Sequence, residues 1–196
     1  LSMRVMVTSL KGGVGKTTTA IHLAAFLQLR GPTLLVDADP AEGALLWARQ
    51  GAGLPFEVAG PEEARPKRFE HVVIDTAGHP KGKTLREYAD KADLVVVPTS
   101  PGLLSLFSLE QFVKKLEGFP LKALVTLVPP FPSLDGMRTL AHLKARKIPH
   151  FKHVIHRLAA YEKAVLAGTV VQNAPDPRAV RAWEEYVLVG REMVKG

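Results

Sequence analysis

The chain of 196 residues contains no cysteine. Disulfides, thiolate metal sites and cysteine-ligated iron–sulfur clusters are therefore excluded. The absence of thiols also fits a reducing compartment. No apolar run approaches the ~18 residues that a membrane-spanning helix needs. The first residues lack the basic-then-apolar layout of a secretory signal, so a cytoplasmic location is expected. Aromatic residues make up only 7% of the chain. Acidic side chains are in deficit, 19 against 26 Lys and Arg, leaving a net charge of +7. The length is enough for a single domain, 1–196, with a real core.

The positive charge is local. Residues 1–100 hold 12 Lys/Arg against 11 Asp/Glu, whereas residues 101–196 hold 14 against 8. Between Arg138 and Lys163 seven cations are opposed only by Glu162, and four of the seven histidines lie there too. Such a run suits a polyanion surface; a solvated helix face would have the same composition.

Short apolar runs alternate with helical stretches. Strands are expected at 4–9, 33–36, 71–74, 94–97 and 123–128, with minor ones at 56–58 and 154–155. Helices are expected at 17–30, 43–50, 83–91, 103–116, 134–147, 159–167 and 177–194. Strands that are apolar throughout and separated by helices point to an α/β fold. Its sheet is doubly wound and mainly parallel, with helices on both faces. Ligands of such sheets sit beyond the carboxyl ends of the strands. Three strands end there in chemistry: a glycine loop, Asp37 with Asp39, and Asp75.

The loop reads Lys11-Gly12-Gly13-Val14-Gly15-Lys16-Thr17-Thr18. Gly15-Lys16-Thr17 matches the end of the phosphate-loop pattern G-x-x-x-x-G-K-[ST], although Leu10 stands where that pattern has its first glycine. Its glycines let backbone N–H groups approach phosphate oxygens. Lys16 is placed to reach the β- and γ-phosphates and Thr17 to ligate Mg²⁺. Asp75, at the end of an apolar run, suits the second metal-side carboxylate of phosphate-loop enzymes; a helix N-cap is the plainer reading. Asp37 and Asp39, two apart on an extended segment, would point the same way, toward the metal and an attacking water. Asp39 is favoured for orienting that water; an Asp-Pro turn with Pro40 is the alternative. Residues 76–80, through His79, read as a flexible loop able to sense the γ-phosphate.

Together these segments resemble the ParA/MinD family of deviant-Walker ATPases. Lys11 to Thr18 is similar to that family's nucleotide-binding loop, whose first lysine is its signature. Leu35-Val36-Asp37-Ala38-Asp39-Pro40 resembles its switch I, and Val72-Val73-Ile74-Asp75-Thr76-Ala77 its Walker B and switch II. Val97-Pro98-Thr99-Ser100-Pro101 is similar to a later segment near the nucleotide. The likeness is sharpest over residues 4–101 and is greatest to the short ParA type used in plasmid or chromosome partition. It implies ATP and Mg²⁺ as cofactors, slow ATP hydrolysis, and a sandwich homodimer that forms on ATP. Lys11 would act in trans on the other subunit's phosphates, as an arginine finger does, and Gly13 would lie at the close contact. It further implies binding to nonspecific DNA and a ParB-like or ribbon-helix-helix partner. Arg157, in Val154-Ile155-His156-Arg157, aligns with a family DNA-binding arginine; Lys144, Arg146, Lys147, Lys152 and Lys163 are further candidates. No helix-turn-helix segment precedes the loop, so no operator reading is expected.

The chain departs from the family twice. Val128-Pro129-Pro130 stands where members often carry an adenine-reading Asn, which leaves the base end of the nucleotide unexplained. Ala41-Glu42 follows Pro40 where Gln is common. Two other readings compete. A MinD-like positioning ATPase would need an amphipathic C-terminal helix for the membrane. The stripe Val180, Trp183, Val187 and Val194 is interrupted by Glu184, Glu185 and Glu192, so a docked core helix and no membrane are expected. A ligase of the dethiobiotin synthetase type would share the fold and loop, but Lys11 argues for the partition type.

Overall fold

The computed structural model describes residues 2–51, 53–78, 80 and 82–195. Strands β1 (Met3–Val7), β2 (Thr33–Ala38), β3 (Glu57–Ala59), β4 (His71–Thr76), β5 (Leu94–Thr99) and β6 (Leu121–Val125) form one sheet. Its order is β3-β2-β4-β1-β5-β6, and every pairing is parallel. The helices are α1 (Lys16–Gln28), α2 (Gly43–Ala48), α3 (Gly82–Ala89), α4 (Leu103–Lys115), α5 (Asp135–Ala145), α6 (Ala159–Ala167) and α7 (Ala179–Lys195). Among the described residues no helix is long and apolar enough to cross a membrane.

Parallel strands joined by helices must be covered on both faces, and the side chains obey that. Val5, Val7, Leu35, Val73 and Val96 pack on one face with α1, α6 and α7. Met6, Val95, Val97, Ala123 and Val125 pack on the other with α3, α4 and α5. Helix α1 is buried nearly all round, from Thr19 to Leu27, because α7 covers the side that the sheet leaves open.

Several boundaries differ from expectation for identifiable reasons. Strand β5 continues through Pro98 to Thr99. Pairing of β1 with β5 ends at Val96, and the missing N–H of Pro98 faces that departed neighbour, where no ladder bond is lost. Strand β2 reaches Ala38, one residue short of Asp39. No strand forms at 154–155. Instead the segment from Pro149 to Arg157 follows β6 as a broken edge. It is held by Phe151 N–H to Ala123 O (3.0 Å), Ile155 N–H to Val125 O (2.9 Å) and Arg157 N–H to Val128 O (2.8 Å). Helix α7 is docked, but its buried stripe is Ala182, Tyr186, Val189, Gly190 and Met193; Val180 is 62% exposed.

The α1–α7 contact has no slack at Gly190. A β-carbon there would stand 2.4 Å from Cδ1 and Cγ of Phe26, a fully enclosed ring. Gly190→Ala should therefore destabilise the protein by ~1–3 kcal/mol through overpacking, read as a fall of several degrees in Tm by circular dichroism.

Candidate nucleotide site

The loop after β1 takes its shape from two left-handed residues, Gly13 at φ 70° and Gly15 at φ 79°. Residues with a side chain rarely adopt either conformation. Gly15 leads directly into α1, whose first turn has neither a side-chain cap nor an acidic residue. Its N–H groups and partial positive charge are thus available to an anion. The loop is pinned from beneath by Thr126, whose hydroxyl donates to the Val14 carbonyl (2.8 Å).

The two lysines point to different neighbours of β1. Lys16 is buried and lies toward β4; its Nζ sits 3.6 Å from where a β-carbon on Gly78 would be. It has no hydrogen-bond or ion-pair partner among the described residues. Lys11 is exposed and lies toward β5, donating from Nζ to Ser105 Oγ (2.6 Å) in the first turn of α4. Ser105 is also linked to Ser100 (2.9 Å). Sequence reasoning did not single out Ser105 and placed Ser100 only in a segment near the nucleotide, since the link to Lys11 exists only once β5 lies beside β1.

Sheet register sets Asp37 opposite Asp75 on adjacent strands. Asp75 is fully buried. Its Oδ2 accepts the Thr17 hydroxyl (2.7 Å), and its Oδ1 has no hydrogen-bond partner among the described residues. Burial pushes its carboxyl from the ordinary 3.8 up to about 7. The Thr17 hydrogen bond and Lys16 oppose that rise, while Asp37 and Asp39 add to it. An orphaned carboxylate oxygen beside a hydroxyl and further carboxylates is a donor set that fits a hard divalent cation. Among the described residues no three His, Asp or Glu side chains are arranged to hold a metal by themselves. Such an ion would need water and phosphate oxygens to complete its shell, the usual situation of Mg²⁺.

Asp37 and Asp39, both expected to face the metal and the attacking water, have different bonding partners. Asp37 Oδ2 accepts the N–H groups of Ala44 and Leu45, each at 2.9 Å, and Oδ1 that of Asp39 (3.2 Å). It caps the start of α2 and is committed to structure. Asp39 lies past the strand end in a turn, its Oδ1 accepting the Ala41 N–H (3.0 Å). At the end of β4, Thr76 is tied to the Val7 carbonyl (3.1 Å); His79, in the loop that follows, lies outside the described residues.

A cavity of about 430 Å³ opens beside the loop, between Gly13, Gly15 and Thr18 on one side and Leu127, Leu158 and Tyr161 on the other. Its apolar walls come from the broken edge and α6. Nothing in the sequence marked 155–162 as a wall, because it becomes one only by folding along β6. Beneath it lies His22, wholly buried. Its Nε2 accepts the Val171 N–H (3.1 Å), so Nδ1 carries the proton given to Thr18 O (2.6 Å). Burial lowers its pKa to about 4, and the neutral ring stacks on Tyr186 at 4.7 Å.

The basic run is divided by the fold. Leu143 and Ile148 pack on the α4 face, Leu158 and Ala160 on the α7 face. Carboxylates brought from elsewhere meet much of it. Glu110 takes His142 (2.8 Å) and Arg146 (3.3 Å). Glu192 takes His153 (3.1 Å), Glu185 takes His156 (2.8 Å), and Asp176 takes Lys163 (2.9 Å). Arg146 and Lys163 are therefore not the free cations that the sequence suggested. The side chains of Lys144, Lys147, Lys152 and Arg157 stay exposed with no acidic partner among the described residues, although the Lys152 backbone N–H donates to Glu192 (3.0 Å); Arg157 lines the cavity beside the loop.

Asp75 yields a sign-definite prediction. Between pH 3.8 and about 7 the folded chain keeps a proton that the unfolded chain has released, so stability falls as pH rises through that window. Without nucleotide or metal, Asp75→Asn should raise stability above pH 7 by ~2–4 kcal/mol and change it little near pH 4. Urea denaturation at the two pH values measures the difference.

The comparisons with known proteins agree with this geometry. Residues 5–171 match the family model described as the CobQ/CobB/MinD/ParA nucleotide binding domain. A protein of Gloeobacter kilaueensis named "Maintenance of carboxysome distribution protein A" is 35% identical over 202 residues, covering 96% of this chain and 93% of its own. A "Protein ParA" of Rhizobium radiobacter is 30% identical over 112 residues, 51% of this chain and 50% of its own. The solved ATP complex of a substituted McdA from Cyanothece superposes with a TM-score of 0.74 at 17% identity, covering 96% of each chain. The phosphate loop, the parallel sheet and the match over most of the length have one meaning: this chain belongs to the CobQ/CobB/MinD/ParA family of nucleotide-binding domains.

Proposed function

We infer that the protein is a Mg²⁺-dependent ATPase switch of the ParA type. In this reading it binds ATP, pairs with a second copy, grips DNA without sequence preference, and hydrolyses ATP slowly to reset. The observation that carries the reading is the divergence of the two loop lysines. Lys16 is enclosed and unpartnered at the β4 side, where it serves the phosphates of its own chain. Lys11 stands exposed on the β5 side, free to leave a single serine contact and reach a partner's phosphates. Gly12, Gly13, Val14, Gly15, Thr17 and Thr18 supply the rest of the nucleotide cradle, and the cavity beside Thr18 takes the base and ribose.

Thr17 and Asp75 would hold the metal, which neutralises phosphate charge. Thr17 presents its hydroxyl at the start of α1, and Asp75 presents its free oxygen from β4. Asp37 stabilises the α2 start and keeps the following turn in place. Asp39, at the mobile end of that turn, orients the attacking water. Lys16 steadies charge on the phosphoryl group as it transfers, and Lys11 adds a second cation from the partner. Without a γ-phosphate between them two such loops repel, so pairing depends on ATP. Lys144, Lys147, Lys152 and Arg157 are the residues proposed to contact DNA phosphates. The protein would then be cytoplasmic and nucleoid-associated.

The name of the relative from Gloeobacter supports a role in distributing a carboxysome-like cargo. The ParA match supports plasmid or chromosome partition, with a ParB-like or ribbon-helix-helix partner, as the second reading.

Light scattering and mobility shifts test the switch. ATP with Mg²⁺ should give dimer and a DNA shift, whereas ADP or no nucleotide should give neither; equal DNA binding in all three states would sink the idea. Lys11→Ala should lose the dimer yet retain ATP, and Lys16→Ala should lose both. Replacing Lys144 and Lys147 together by Ala should weaken DNA binding across all sequences and lower the salt slope by ~2, leaving ATP affinity unchanged.

A further inference from the structure

His156 borders two cavities. One lies beside the phosphate loop; the other, of about 390 Å³, lies between α5, the broken edge and α7. Val128, buried, belongs to the floor of this second groove. A β-carbon on Gly136 would stand 3.0 Å from Val128 Cγ1, so glycine lets the first turn of α5 close on that floor. The walls are apolar: Met137 and Leu140 from α5, Val154 from the broken edge and Leu188 from α7. Met137 is 65% and Leu188 40% exposed, so large apolar side chains face water across a concave surface. The groove is held in shape from α7. Glu185 accepts the N–H and Nδ1 of His156, each at 2.8 Å. Glu192 accepts the Lys152 N–H (3.0 Å) and His153 Nδ1 (3.1 Å).

We propose that the groove between α5, the broken edge and α7 docks an acidic amphipathic segment of a partner protein. The inference does not depend on the nucleotide-driven pairing argued above. Charge selects the occupant. Glu185 and Glu192 are turned onto the histidines of the broken edge, so the acids nearest the floor are already engaged. Lys152 lines the groove, Lys144 follows Leu140 by one turn of α5, and Arg191 follows Leu188 by one turn of α7. These three side chains are exposed and have no ion-pair partner among the described residues. Of the other rim acids, Asp135 meets Arg138 (3.9 Å), and Glu184 stands against the cationic surplus. An apolar floor ringed by free cations complements a helix that presents apolar anchors flanked by Glu or Asp. Met137 suits such a role, because its flexible thioether adapts to the anchor it meets. DNA fits less well, since phosphates and base edges offer little to Val128, Leu140 and Leu188. A membrane fits less well too, because it takes a projecting apolar face and this one is recessed.

The test uses the full chain and two fluorescein-labelled synthetic peptides of ~18 residues, about five helical turns. Both carry leucines at i, i+3, i+4 and i+7; one has Glu at the flanking positions and the other Gln. By fluorescence anisotropy the acidic peptide should bind saturably, and the Gln peptide at least ~10-fold more weakly. Met137→Gln combined with Leu188→Gln should weaken the acidic peptide at least ~10-fold, the scale of losing interface anchors. Both positions face water, so Tm and affinity for a fluorescent ATP analogue should hold; Leu188→Gln alone is the milder variant if the pair lowers Tm. No saturable binding of the acidic peptide, equal binding of the two peptides, or binding that survives the substitutions each overturns the proposal. So does a variant that keeps the acidic peptide but loses the DNA shift, adherence to phosphatidylglycerol vesicles, or dimer formation, which would assign the groove to that occupant instead.

Discussion

A carboxylate sealed into the carboxyl edge of the sheet, with one oxygen unanswered, is the constraint around which the site is arranged. Asp75 cannot move away from Asp37, because parallel register sets them opposite each other. Burial of a charged group is tolerated only with compensation. Here the compensation is partial: one hydroxyl from Thr17 and a lysine nearby. The remainder shows as a carboxyl pKa raised by burial, which favours the neutral form. A cation arriving with a phosphate would relieve the mismatch, which makes ligand binding and local stability one problem.

The same edge gathers parts from distant places in the chain. The loop comes from β1, its floor from Thr126 after β6, and the wall beside it from the broken edge and α6. Behind the loop, His22 joins α1 to Val171 while Thr19 meets Tyr186 of α7 at 3.1 Å. Helix α1 is thus bonded directly to the C-terminal helix.

Charge was legible in the sequence as an amount but not as a surface. The excess between residues 138 and 163 is real, yet the fold carries it around the β6 edge and spends part of it on Glu110, Glu185, Glu192 and Asp176. Those carboxylates lie far away in sequence, so no window could count them against the run.

What the sequence determined by itself was everything with a local cause. Apolar runs marked the strands, Gly13 and Gly15 the left-handed turns, and Lys11 with Lys16 the two-cation loop. The fold class followed, because such strands must be covered on both faces. Only the tertiary structure decided what depends on which strand lies beside which. It gave Asp37 and Asp39 different partners, since α2 starts where Asp37 can cap it. It formed a cavity beside the loop, and it set Lys11 against Ser105. Each of these is a contact between segments whose separation along the chain hides it, and register in the sheet, not composition, brings them together.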